Sequence, residues 1–550
     1  MSLSKFFTAS INQPKKQRPW GWISLHLTLS LGFAIFYSIL GLQRAFKTEY
    51  VAQDDAREYV FWMQQFIDPE LFQHDLIADY FQSITPLGYA TLYKLMANFG
   101  INPLLCSKLI PVFLCLVTTI YCFHLSLEIF PVPGSAFITT LLLNQSLWFQ
   151  SDLVSATPRS FIYPLLLAFL YYLIRCDWRI NCLIIMLAGL FYPPLVFICI
   201  GILLIRLPNN YFWLVTILGL AFLVMLPYLL ASSKFAPVVT ANQAWIMPEL
   251  WTEGRHPFFD NNLARFWLIG QHSGILPPLM PPLIWMGLFF PLVRGKLAKL
   301  TIQVKILPQI IIVSLTLFFA AHALLLKLFF PTRYTVHTFR IVMAIAAGIT
   351  LTVILERLFH AYQQKRRLWQ ITLAVSLITF LLLYPNFSGR FPTTDYRQST
   401  ASALYKFLQQ QPKDTLVATL SDEADNIPTF AQRPILVGRE YALPFHLGYY
   451  SQIRQRIIDL LHAQYSQDLT PAKQLIQKYG VDFWLIENTS FQVDYLIIKP
   501  WLKSFQPGFN EAISNLSQNK IPALATLTKN CSVLETENFI LLKADCILEE

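Results

Sequence analysis

Over its first 385 residues the chain repeats one feature: apolar runs of about 18 residues or more, nearly free of charge, separated by short polar loops. As a helix, each such run is long enough to cross a hydrocarbon core about 30 Å thick. Backbone N–H and C=O groups find no water there, so a spanning segment must satisfy them internally, as a helix does. Only 13% of the 550 residues are charged, against about 25% in an ordinary soluble chain. The pattern predicts a polytopic α-helical membrane protein of about 10–12 spans, carrying a C-terminal extracytoplasmic α/β domain.

The net charge of +10 does not point to nucleic acid. The basic residues concentrate in short loops and tails, where the positive-inside bias accounts for them. Lys5, Lys15, Lys16 and Arg18 place residues 1–21 in the cytoplasm. The first apolar run, about 22–42, lacks a small-residue cleavage site and reads as an anchor rather than a removed signal peptide. Residues 22–385 form the membrane domain, with a long first outer loop at 43–103. Within 182–207 the Tyr192-Pro193-Pro194 break suggests a bent pair of half-spans returning to the inside. A span is expected to end near Leu292, and Lys296, Lys365 and Arg366 belong to inner loops. Residues 386–550 alternate helical stretches with short apolar strands (TLVATL, PILVG, DFWLIE, FILLKA), the pattern of a small α/β domain. Cys531 and Cys546 close CSVLETENFILLKADC, and pair if that domain faces an oxidising compartment. The other six cysteines lie in or beside apolar runs and read as small hydrophobes.

The first loop is unusually acidic. VAQDDAREYVFWMQQFIDPELFQHDLIA holds Asp54 and Asp55 side by side, then Glu58, Asp68, Glu70 and Asp75. Of two adjacent acids, one can take a proton from an attacking hydroxyl while the other orients it, holds a cation or raises its neighbour's pKa. The alternative is a helix start, for which two aspartates are equally suited. Pro69 and Glu70 suit a second helix start, and the amphipathic stretches of this loop are expected to lie along the membrane surface. Asp152, in the short outer loop QSDLVSATPRS, lies at the same membrane face with Arg159 close behind.

Arg333, His337 and Arg340 in PTRYTVHTFR share one helical face at the outer edge, against the charge bias. A lipid phosphate would account for them, since guanidinium pairs bidentately with phosphate oxygens; Lys327 could reach the same group. Contact with bulk anionic lipid is the alternative. His256, His272, His322 and His360 stand isolated and read as structural, while Asp422, Glu423, Asp425 and Glu440 in the tail read as surface or turn residues. No HExxH, paired CxxC, Walker A or GxGxxG occurs.

With these residues in view, the chain resembles the GT-C membrane glycosyltransferases, nearest in layout to the protein O-mannosyltransferase and lipid A aminoarabinose transferase branch. DDAREYVFW, TPRSFIYPLLLAFLYYL and QLIQKYGVDFWLIE carry the likeness. The resemblance implies a polyprenyl-phosphate-linked sugar as donor and a glycan, lipid or protein as acceptor, in a bacterial inner membrane. It implies Asp54 or Asp55 as general base. Asp152, Arg159, Lys327, Arg333, His337 and Arg340 are the candidates for substrate binding. The first loop has no DxD, so a divalent cation stays an open cofactor. The rival readings are a lipid-linked sugar flippase, which would need ionisable groups at mid-membrane, and a non-catalytic envelope scaffold.

Overall fold

The computed structural model describes residues 20–206, 211–230, 234–294, 297, 299–365 and 367–550. The N-terminal tail (residues 1–19), Lys296 and Arg366 lie outside the described residues. Among the described residues six helices are long and apolar enough to cross a membrane: α1 (Trp20–Ala45), α5 (Pro103–Ile129), α10 (Tyr211–Leu230), α11 (Ile306–Ala323), α12 (Thr332–Lys365) and α13 (Leu368–Phe387). Between them stand α6 (Pro133–Trp148), α7 (Ile162–Ile174), α8 (Trp178–Phe191) and α9 (Pro194–Arg206). The first loop contributes α2 (Asp54–Val60), α3 (Leu76–Ile84) and α4 (Leu87–Asn98). The chain is a multi-pass membrane protein.

The long helix α12 is the centre of the bundle, packed against α6, α11 and the segment Pro282–Phe289. It lies so close to α6 that a side chain at Gly348 would collide with Thr139. A polar seam joins α1, α5, α6 and α13. Thr140 donates to Ser30 at 2.8 Å, Asn144 to Thr119 at 2.9 Å, and Gln145 to the Leu381 carbonyl at 2.8 Å. Small and hydroxyl residues let membrane helices approach and replace the missing hydrophobic drive with hydrogen bonds.

At Tyr192–Pro194 the chain turns back. Pro194 opens α9, where its missing N–H costs nothing. Arg206 at the far end bonds Gln303 and lies near Cys176, just before α8. The α8–α9 pair is therefore a hairpin whose tip carries Tyr192. The expected span ending near Leu292 is shorter than its hydropathy suggests. Helix begins only at Pro282, because Pro277, Pro278, Pro281 and Pro282 remove donors and fix φ upstream.

Two expectations for the first loop are corrected. No helix starts at Pro69–Glu70; it starts at Leu76, capped by Asp75, whose side chain accepts from the Ala78 N–H at 2.9 Å. Nor does the stretch after Asp54 lie on a lipid surface: Arg57, Glu58, Val60 and Phe61–Gln64 are buried, with the C-terminal region as part of the cover. Phe61 packs on Tyr441 at 5.3 Å between ring centroids, and β1 (Val51–Gln53) pairs antiparallel with β2 (Tyr396–Gln398). Only α4 keeps an apolar outward face, with Leu87 and Leu95 exposed and Phe99 just beyond.

The C-terminal region holds a four-stranded sheet in the order β3 (Val417–Ala418), β4 (Phe483–Glu487), β6 (Phe539–Lys543), β5 (Ser532–Glu535). The first pair is parallel and the rest antiparallel. PILVG is buried but forms no strand, only a single bridge from Ile435 to Val417. Cys531 and Cys546 form a disulfide across 15 residues. Replacing both with serine is expected to cost this region about 3 kcal/mol, the loop-closure value for that length. Thermal unfolding of the purified protein, with and without reductant, checks it.

Candidate active site

Helix α2 begins where the Gln53 side chain accepts from the Ala56 N–H at 3.1 Å. That start sends the two adjacent aspartates in different directions. Asp54 faces the tail, paired with Arg57 and, at 2.8 Å, with Arg397. Burial raises its pKa, but the Arg397 hydrogen bond and the Arg57 charge outweigh burial and hold it below the ordinary value. Asp55 faces the membrane helices and pairs with Arg159.

Arg159 is a bridge. Beyond Asp55 it reaches Asp152 at 3.5 Å, and Asp152 reaches Arg340 at 3.3 Å. Burial pushes the Asp152 carboxyl up, but the charges of Arg159, His337, Arg340 and Arg333 together hold it below the carboxylate range. Arg340 is fully buried and also bonds the Tyr163 hydroxyl, which meets His337 Nδ1 at 3.0 Å. Arg333 differs from its neighbours. It has no carboxylate partner among the described residues; it lies over the Phe329 ring at 5.7 Å, and its Nε is buried without a hydrogen-bond partner.

Two cavities meet at these cations. One, of about 480 Å³, is lined by Asp152, Arg159, Arg333 and His337 against an apolar wall of Ile269, Leu276, Pro277 and Trp285. The other, of about 210 Å³, is lined by Asp55, Glu58, Tyr59, Arg255, His256 and the tail residues Leu443 and Phe445. Arg159, Gln271, His272 and Arg333 line both.

Of the residues singled out in the sequence, the structure brings Asp55, Asp152, Arg159, Arg333 and His337 to these cavities. Arg340 lines neither and sits behind Asp152. Asp54 is turned away. Lys327 is exposed in the turn between α11 and α12 and lines neither cavity. Glu70 and Asp79 pair with Lys413 at 2.7 Å and Lys234 at 2.9 Å, away from either cavity.

Sequence reasoning missed Glu58, Arg255, His256, Gln271 and His272. His256 and His272 are not isolated: their ring centroids lie 6.0 Å apart, and His272 stacks on Phe330 at 4.3 Å. Burial, then the Arg333 and Arg255 charges, push His272 down to about 3; burial, then Arg255, takes His256 well below its usual value. Both are thus neutral imidazoles at pH 7. Two tail acids read as surface residues, Asp425 and Glu440, are buried. Among the described residues there is no group of three or more His, Cys, Asp or Glu side chains that could hold a metal ion.

No protein-family model matches the chain, and no curated protein matches it in sequence. Solved structures do match in shape. The oligosaccharyltransferase of Archaeoglobus fulgidus, tethered with an acceptor peptide containing the NVT sequon, superposes with a TM-score of 0.53 at 12% identity, over 90% of this chain and 72% of that one. The same organism's AglB, in complex with an inhibitory peptide and a dolichol-phosphate, gives 0.53 at 11% identity, over 88% and 72%. The mycobacterial arabinofuranosyltransferase AftD gives 0.50 at 12% identity, over 86% of this chain and 37% of that one. The fold is that of the GT-C membrane glycosyltransferases.

Proposed function

We propose that the protein transfers a sugar from a polyprenyl-phosphate donor to a hydroxyl or amine of a glycan, lipid or protein, at the outer face of a bacterial inner membrane. The observation that carries this reading is the meeting of Asp55 and Arg333 across two joined cavities, one of them apolar-walled. The charges suit one phosphate. Asp55, Arg159, Asp152 and Arg340 balance within their own chain of contacts. Arg333 is left over, a single positive charge for the single negative charge of a phosphodiester.

In this reading the lipid chain lies along Ile269, Leu276 and Trp285, its phosphate meets Arg333, and the sugar enters the smaller cavity beside Asp55. The Asp55 carboxylate takes the acceptor's proton as the acceptor oxygen or nitrogen attacks C1. The C1–O bond to phosphate breaks with inversion, and polyprenyl phosphate leaves. Fixed cations aimed at the leaving phosphate offset the charge that develops there, often the largest contribution to catalysis. Arg159 orients Asp55, and neutral His272 can donate a hydrogen bond to sugar or phosphate.

The test is turnover. Purified protein in lipid nanodiscs is given the polyprenyl-linked lipid fraction of the host membrane with labelled acceptors. Sugar transfer with release of polyprenyl phosphate supports the reading. Movement of lipid-linked sugar between leaflets without transfer would favour the flippase.

A further inference from the structure

We infer that Glu440 in the C-terminal region is a positioning residue for the transfer reaction, acting through Arg255 and Glu58 on the helix that carries Asp55. The inference rests on the function proposed above. Three segments far apart in sequence converge in one wall of the smaller cavity. Arg255 donates to Glu58 at 3.1 Å and to Glu440, while its Nε donates to the Arg439 carbonyl at 3.2 Å. Glu440 is itself held from behind, its N–H donating to Asp425 Oδ1 at 3.0 Å. Glu58 follows Asp55 by three residues, about one turn along α2. All three side chains of the triad are at least 85% buried.

Two carboxylates on one guanidinium are a poor way to stabilise a fold, because the cost of removing three charges from water can exceed their attraction. Other contacts already dock α2 on the tail. Arg57 bonds Asn426 at 2.7 Å and Asp54 bonds Arg397, while the Tyr441 hydroxyl donates to the Arg57 carbonyl at 3.2 Å. Those contacts face away from the cavity. The Arg255 triad joins the tail, the long loop and α2 at the wall of the smaller cavity, which Glu58 and Arg255 line. Burial, then the nearby Glu440 carboxylate, raises the Glu58 pKa well above its usual value. The tail in this account sets the height of Asp55 over the cavity.

The test compares full-length Glu440→Gln, Glu440→Asp, Glu58→Gln and Arg255→Met in nanodiscs. Turnover is measured with the lipid fraction that supports the wild type, and affinity with undecaprenyl phosphate as probe. A misplacement of about 1 Å can cost about 100-fold in rate, so Arg255→Met should lose about 100-fold in kcat and Glu440→Gln about 10-fold. Glu440→Asp should recover to within about threefold, and undecaprenyl phosphate affinity should stay within about twofold throughout. Glu440→Gln and Glu58→Gln should be non-additive. Lys413→Met, which cuts an exposed loop–tail contact to Asp68 and Glu70, should leave kcat unchanged. Wild-type kcat in both Arg255→Met and Glu440→Gln would overturn the inference, as would a loss confined to KM and lipid affinity. If Arg255→Met fails to accumulate, the Glu440→Gln and Glu440→Asp pair decides. Absence of turnover by the wild type overturns both proposals; wild-type turnover with unimpaired variants overturns only this one.

Discussion

Asp55→Asn is expected to remove transfer almost completely, by about 10³-fold or more in kcat, within the range general-base catalysis supplies. Asparagine keeps the shape of the side chain and suits the first turn of a helix. It cannot take a proton, and it gives up the charge that holds Arg159. Asp54→Asn should behave differently. Asp54 faces Arg57 and Arg397 rather than the cavities, and Arg397 is more than half exposed. Its loss removes an exposed pair with Arg397, which contributes about 1 kcal/mol or less, and a largely buried one with Arg57, so it should loosen the loop–tail joint and leave most of the turnover. Parallel kcat measurements, with membrane accumulation checked by immunoblot, separate the two. Equal loss in both variants would mean that the pair acts through the helix start.

Arg333→Met should be the second large effect, and it should appear in binding. A half-buried guanidinium with no carboxylate partner among the described residues is poised for an anion, and a hydrogen bond to a charged group contributes about 1.5–3 kcal/mol. Undecaprenyl phosphate affinity should therefore fall by about 10–150-fold. Arg333→Lys should recover only part of it, since an ammonium keeps the charge and loses the planar fork. Lys327→Met should leave affinity unchanged, because that side chain is exposed and lines neither cavity. Titration monitored by intrinsic tryptophan fluorescence reads all three, Trp285 being part of the cavity wall.

The membrane architecture was legible because lipid imposes one strong rule on every spanning segment. Shorter elements were legible only where proline or a cap marked them, as at Tyr192–Pro194. The aspartate pair shows where sequence reading stops. Neighbouring residues on a helix point about 100° apart, so which of the two faces the cavities depends on where α2 begins, and Gln53 decides that. The spacing of Arg333, His337 and Arg340 gave a shared face but not depth. Arg340 lies about 10.5 Å further along the axis than Arg333, enough to reach Asp152 and Tyr163 instead of a cavity. The amphipathic first loop was misjudged for a related reason. Periodicity reports an apolar face, not its cover, and part of that cover, Tyr441 and the β2 strand, comes more than 330 residues later. Arg255, His256 and His272 sit in irregular loop with no period to read, and only the folded chain brings them to Glu58 and Glu440.

The most direct test of the central claim is the cell-envelope glycan and glycolipid profile of a deletion strain complemented with wild type, Asp55→Asn or Asp54→Asn, each shown to accumulate in the membrane. Deletion is expected to remove one glycan, wild type and Asp54→Asn to restore it, and Asp55→Asn to leave it missing. Full restoration by Asp55→Asn would contradict the central claim, leaving the carboxylate as a helix-start residue and the protein as a carrier or scaffold.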